Sequence, residues 1–128
     1  MKDVQDRTGI LLLTAEKLEG YKVVDYLGLV SGQSVMGANF MKDFFARLRD
    51  VAGGRVRGYE RSLDDAIGVA VEEMALNAEK RGANAVIAID METGSMGTGM
   101  LLATCLGTAV RIEQIAEPSM QYANPRLG

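Results

Sequence analysis

Two segments late in the chain, Ala85 to Met91 and Met100 to Ile112, are apolar on both of their alternating residue sets, Asp90 excepted. An antiparallel strand with one wet face alternates apolar and polar residues; these two do not, so both of their faces need cover. In the second segment Met100, Leu102, Leu106, Val110 and Ile112 share one face, and Leu101, Ala103, Cys105 and Ala109 share the other. The glycine-rich run between the two segments, Thr93 to Gly99, predicts a hairpin connection.

What precedes them limits what can do the covering. Ile10 to Thr14 reads as a short strand, and Tyr21 to Val30, rich in β-branched and aromatic residues, as a longer one. Gly28 and Gly32, inside and just after it, mark a bulge or a close backbone approach. Asn39 is a good N-cap for a helix over 40–52, in which Phe40, Phe44, Leu48 and Val51 fall on one side. Gly53-Gly54 stops that helix, and Arg55 to Tyr59 is a basic connector. A longer helix then runs from Tyr59 or Ser62 to Arg81. Its apolar stripe is Leu63, Ala66, Ile67, Ala70, Val71, Met74 and Ala78. Asp65, Glu72 and Glu79 line its opposite side, and Gly82 stands at the C′ position. Residues 1–9 read as a loose charged leader, residues 10–112 as one domain and residues 113–128 as an irregular tail with two prolines.

The predicted order is β-β-α-α-β-β, an α+β layer with an antiparallel sheet and its helices on one face. Two helices cover one face only, and no element is left for the other. Apolar patches of that size are uncommon on monomers. The chain is therefore expected to form a homo-oligomer in which another subunit covers the second face.

Composition narrows the chemistry. Among 128 residues there is no histidine and one cysteine, Cys105. That excludes Ser-His-Asp and Cys-His catalysis, His-ligated metals, zinc fingers and an intrachain disulfide. A net charge of −3 does not provide the basic footprint that nucleic-acid binding needs. The apolar run Ile10 to Leu13 is too short for a signal-peptide core. The longest uncharged stretch, Thr93 to Val110, begins with small polar residues and is half apolar, short of a membrane span. The expectation is a cytoplasmic protein with neither a nucleic-acid nor a membrane partner.

Few residues offer chemistry. The run Gly94 to Gly99 lacks the Gly-Lys-Ser/Thr ending of a phosphate loop and precedes a strand, so it reads as a hairpin turn. Cys105 lies mid-strand in an apolar run, the setting of a buried structural thiol. Asp65, Glu72 and Glu79 repeat at intervals of ~10.5 Å along a helix, too far apart to share an ion. The eight methionines are scattered in apolar contexts and read as core filling. Arg55, Arg57 and Arg61 around Tyr59 offer guanidinium forks for a phosphate or, alternatively, partners for Glu60, Asp64 and Asp65. Asn39, Asp43 and Arg47 stack at four-residue spacing along the first helix, beside its apolar face. With Arg55 they form the candidate ligand-binding set, suited to a carboxylate or phosphate at a subunit junction. No cofactor and no metal ligand are predicted.

Several motifs together carry a resemblance. They are Leu18-Glu19-Gly20-Tyr21, Tyr26 to Gly32, Gly37-Ala38-Asn39, Asp43 to Ala46, Leu48 to Arg55, Tyr59-Glu60, Gly82 to Val86, and Gly107-Thr108-Ala109-Val110. In this order, over residues 10–112, the chain resembles the YbjQ-like family of small bacterial proteins, labelled heavy-metal-binding. The resemblance implies a dodecin-like α+β subunit assembled as a ring pentamer, and no established activity. The family ends after the Gly-Thr-Ala-Val strand; here a tail and the leader 1–9 are added.

Three functional readings follow. The first is a non-enzymatic ring-forming oligomer that binds a small ligand at its subunit junctions. The second is metal sequestration through carboxylates and Cys105. The third is a histidine-free enzyme built on Asp43, Arg47 and Arg55.

Overall fold

A computed structural model describes residues 2–36, 55–95 and 100–116, and of Lys2 and residues 55–62 the backbone alone. Helix α1 (Lys2–Thr8) leads into a two-residue strand β1 (Leu11–Leu12) and a sixteen-residue strand β2 (Tyr21–Met36). Helix α2 (Arg55–Lys80) follows, then strands β3 (Ala85–Ser95) and β4 (Leu101–Gln114). The sheet order is β1-β3-β4-β2. The α+β class and the strand-helix-strand-strand order agree with the sequence reading; the predicted helix over 40–52 lies outside the described residues.

Several features differ from that reading. β2 runs on past the predicted Val30 to Met36, and β3 past Met91 to Ser95, so Thr93 to Ser95 of the expected hairpin connection are strand. The sheet is mixed, because β1 runs parallel to β3 while the other pairs are antiparallel. The pairing with β3 is made by the Leu11 and Leu13 N–H groups on the Asn84 and Val86 carbonyls, and the Leu12 N–H between them is taken by the Gln5 side-chain oxygen at 2.8 Å. The leader is a helix. Thr8 bonds back to the Val4 carbonyl at 2.7 Å, and Val4 is buried in the main core. The connector 55–59 belongs to α2, which begins at Arg55; of its residues only Gly58 opposes helix. Finally, β4 runs two residues into the predicted tail, to Gln114, and the Ile115 N–H bonds to the Gly20 carbonyl at 2.9 Å.

Small residues bring α2 close to the sheet. Ala66, Ala70, Ala75 and Ala78 are buried with Met74 and Val71 against Val30, Val86, Ala103, Cys105 and Ala109. The closest approach is at Gly32, where a Cβ would collide with the Ala70 carbonyl oxygen. Gly28, at φ +103°, sits at a register shift in β2, so both strand glycines do what their positions predicted. Gly82, at φ +84°, ends α2 as predicted: its N–H reaches the Glu79 carbonyl and the next N–H, of Ala83, reaches Ala78.

The second face of the sheet has its own small cluster at one end. Ala85, Ile87 and Val110 are buried there, packed by Leu11, Leu13, Val23 and Ile112. Beside it β3 bulges between Ile87 and Asp90, with Ala88 in the left-handed region at φ 55°. The displaced N–H groups of Ala88 and Ile89 are taken by the carbonyls of Ala15 and Leu13, at 2.9 and 3.1 Å.

Candidate functional site

The connection that leaves β1, residues 13–20, walls a cleft of about 680 Å³ on that second face. Val23, Ile87 and Ile112 come from the adjacent ends of β2, β3 and β4. Tyr21 and Tyr26 stand on the β2 side, and Glu16, Lys17, Glu19 and Lys22 bring charges of both signs. The volume is in the range of small-molecule sites, and an apolar base with polar groups at the rim is their usual makeup. Ala88 lines the cleft, so its one left-handed non-glycine backbone stands in the wall.

Away from the cleft the same face is bare of described cover. Register places Leu29 and Val35 of β2 beside Thr108 and Leu102 of β4, with Leu106 between them, and Tyr26 beside Val110 where the cleft ends. Tyr26 is 69 % exposed and Leu29 64 %; Val35 and Leu106 are about half exposed. On the helix side, α2 attends to the free edge of β2. Glu73, Asn77 and Arg81, one helical turn apart, reach the Gln33 N–H (2.6 Å), the Ser31 carbonyl (3.0 Å) and the Leu27 carbonyl (3.0 Å).

A second, acidic cleft of about 590 Å³ lies between α1 and α2, with Asp3, Asp64, Asp65 and Glu72 around it. Arg7 neutralises part of it, bonding Glu72 at 2.8 Å and Asp3 at 3.1 Å. Glu72 is thus a partner of α1 as well as a member of the predicted acidic row.

Of the predicted ligand set, Asn39, Asp43 and Arg47 lie outside the described residues. Arg55 opens α2, with its side chain outside them. The cleft residues were not singled out in sequence. Tyr21 and Val23 alternate plainly, but a bulge at Val24 is needed to bring Tyr26 to the same side, and no residue announces it. Cys105 is buried as predicted, 2 % exposed, and burial pushes its thiol pKa up. No described helix is long and apolar enough to cross a membrane.

The model of the YbjQ_1 family, described as "Putative heavy-metal-binding", matches residues 10–113. The chain belongs to this family. A UPF0145 protein of Carboxydothermus hydrogenoformans is 44% identical over 104 residues, 81% of this chain and 97% of that one. One of Bacillus cereus is 42% identical over 103 residues, 80% of this chain and all of its own. A solved structure from Pediococcus pentosaceus, a DUF74-family protein of unknown function, superposes with TM-score 0.55 at 16% identity. It covers 82% of this chain and 99% of its own, and so shares the fold.

The YbjQ description names heavy metals, and no donor set among the described residues fits them. Soft ions want thiolate or imidazole. The chain has no imidazole, and its one sulfhydryl is under α2. Among the described residues no three His, Cys, Asp or Glu side chains converge.

Proposed function

We propose that this YbjQ-family protein is a non-enzymatic, cytoplasmic homo-oligomer, a ring pentamer, that holds a small ligand at its subunit junctions. The observation that carries the reading is the outer face of the sheet. Tyr26, Leu29, Val35 and Leu106 are large, apolar and exposed along adjacent strands, and no described element covers them. Burying such a patch returns roughly 25 cal/mol for each Å² removed from water. Assembly through the face also suits the β2 edge, where the Leu27 and Ser31 carbonyls and the Gln33 N–H already have partners on α2. The number five rests on the family resemblance. Asn39, Asp43, Arg47 and Arg55 are the residues proposed to hold a carboxylate or phosphate.

Light scattering on the purified chain at micromolar concentration tests the assembly, with about five times the 13.8 kDa subunit mass as the expected result. A monomer mass would overturn it. The ligand is tested separately, by mass spectrometry of small molecules released from the native and Arg47→Ala proteins. A ring that keeps its co-purifying anion in Arg47→Ala shows that another surface binds it.

A further inference from the structure

In a chain without histidine, Cys105 is the one strong donor a heavy metal can find, and three elements decide what its sulfur does. β4 carries it on the face beneath α2. From above, the Ala70 carbonyl oxygen lies 3.3 Å from Sγ; from the neighbouring strand, the Gly32 carbonyl lies at 3.8 Å. The Ala70 carbonyl, the nearer of the two, is an acceptor and favours a sulfur that carries its proton. Burial and the charge of Glu73 act the same way, and the Gly32 backbone works in part against them. The geometry follows from the sequence at Gly32, because any side chain there would collide with the Ala70 carbonyl and lift the helix away. Around the sulfur, Ala70, Met74 and Ala103 are buried. A metal would have to displace α2 to reach it.

We propose that Cys105 is a hydrogen-bonding clasp, its S–H directed to the Ala70 carbonyl and secondarily to that of Gly32, which fastens α2 to the sheet and is closed to heavy metals in the folded protein. The sulfur is then a structural donor, and the conformation that would expose it is the unfolded one. A thiol attached to the outside of a fold would instead compete for thiophilic ions at neutral pH.

Two measurements on the full chain, purified without a histidine tag, decide the matter. The infrared S–H stretching band of the native protein is expected below the frequency of a free thiol and absent in Cys105→Ser; a native band at the free-thiol frequency overturns the clasp. Cadmium alone, one equivalent per subunit, is expected to give no thiolate-to-cadmium absorbance with native protein and to give it once urea unfolds the chain. Reaction with a disulfide reagent should be slowed ~100-fold or more in the native state, since it waits on opening of the core. Native protein that takes up cadmium with that absorbance, and loses it in Cys105→Ser or Cys105→Ala, overturns the proposal and restores a thiolate site.

Discussion

Asn84 and Ile112 exchange two hydrogen bonds: the Asn84 amide donates to the Ile112 carbonyl at 3.0 Å, and the Ile112 N–H donates to the Asn84 side-chain oxygen at 2.8 Å. The amide thereby imitates one more residue of β3, extending the ladder past the point where β3 begins at Ala85. Asn84→Ala leaves both Ile112 groups unpaired in a part-buried place. The expected loss is about 2 kcal/mol, read as a lower urea midpoint at unchanged slope. Asn84→Asp should lose a similar amount, because it keeps the acceptor but sets a carboxylate against the Ile112 carbonyl.

Two glycines of opposite character test the helix-sheet approach. Gly32→Ala drives a methyl into the Ala70 carbonyl and should cost roughly 3 kcal/mol. Gly68 lies in the interior of α2 with nothing within 4 Å of a built Cβ, and Gly68→Ala should stabilise by roughly 0.5–1 kcal/mol. Thermal unfolding of the pair should show shifts of opposite sign.

Stability should fall in alkali through Cys105. Burial raises the folded thiol above the unfolded value of about 8.5, so the unfolded chain loses its proton first. The contribution is complete below about pH 8.5 and declines as pH climbs from there toward the folded value. Other groups titrate in the same range, so the measurement is the difference between wild type and Cys105→Ser across pH 7.5 to 10. A difference independent of pH would contradict the raised thiol.

The row Glu73, Asn77 and Arg81 should govern exchange at the β2 edge. Replacing all three with alanine frees the Gln33 N–H and the carbonyls of Ser31 and Leu27. Faster amide hydrogen exchange at Gln33 and a new tendency to aggregate are expected.

Leu29→Glu with Leu106→Glu should separate assembly from folding. Both side chains are exposed on the subunit, so its own helical and strand content should persist by circular dichroism. The mass by light scattering should drop to that of one chain.

Much of the architecture was legible. The α2 stripe from Ala66 to Ala78, the C′ glycine at Gly82 and the buried Cys105 all follow from spacing and composition. What stayed hidden depends on partners far along the chain. Lys2–Thr8 is too short to hold a helix by propensity; it is held by Arg7 on Glu72 and by Val4 in the core, 60 and more residues away. The parallel sense of β1 is not disclosed by its own two leucines, and its Leu12 N–H is held by Gln5 of α1. The candidate cleft was missed for a related reason. It forms where a bulged β2, a bulged β3 and a curled connection meet, and bulges leave no sure mark in a sequence whose apolar residues run on both faces. In the ligand set, Asn39, Asp43 and Arg47 rest on a helical periodicity that falls outside the described residues, and Arg55, chosen for following the Gly53-Gly54 stop, opens α2.

The bulge at Ala88 also acts as a change of reading frame. Before it, the odd residues Ala85 and Ile87 share a face with Val110 and Thr108. After it, the register pairs Asp90 with Leu106 and Glu92 with Thr104, so the even residues take over that face. One added residue therefore sends two carboxylates to the side of the sheet where unbroken alternation would have sent Met91 and Thr93. Along β3 the face changes character, aliphatic at Ala85 and Ile87 and carboxylate at Asp90 and Glu92, beside the exposed Leu106 of β4. A neighbour that settles along β3 meets methyl groups at one end of the strand and charge at the other.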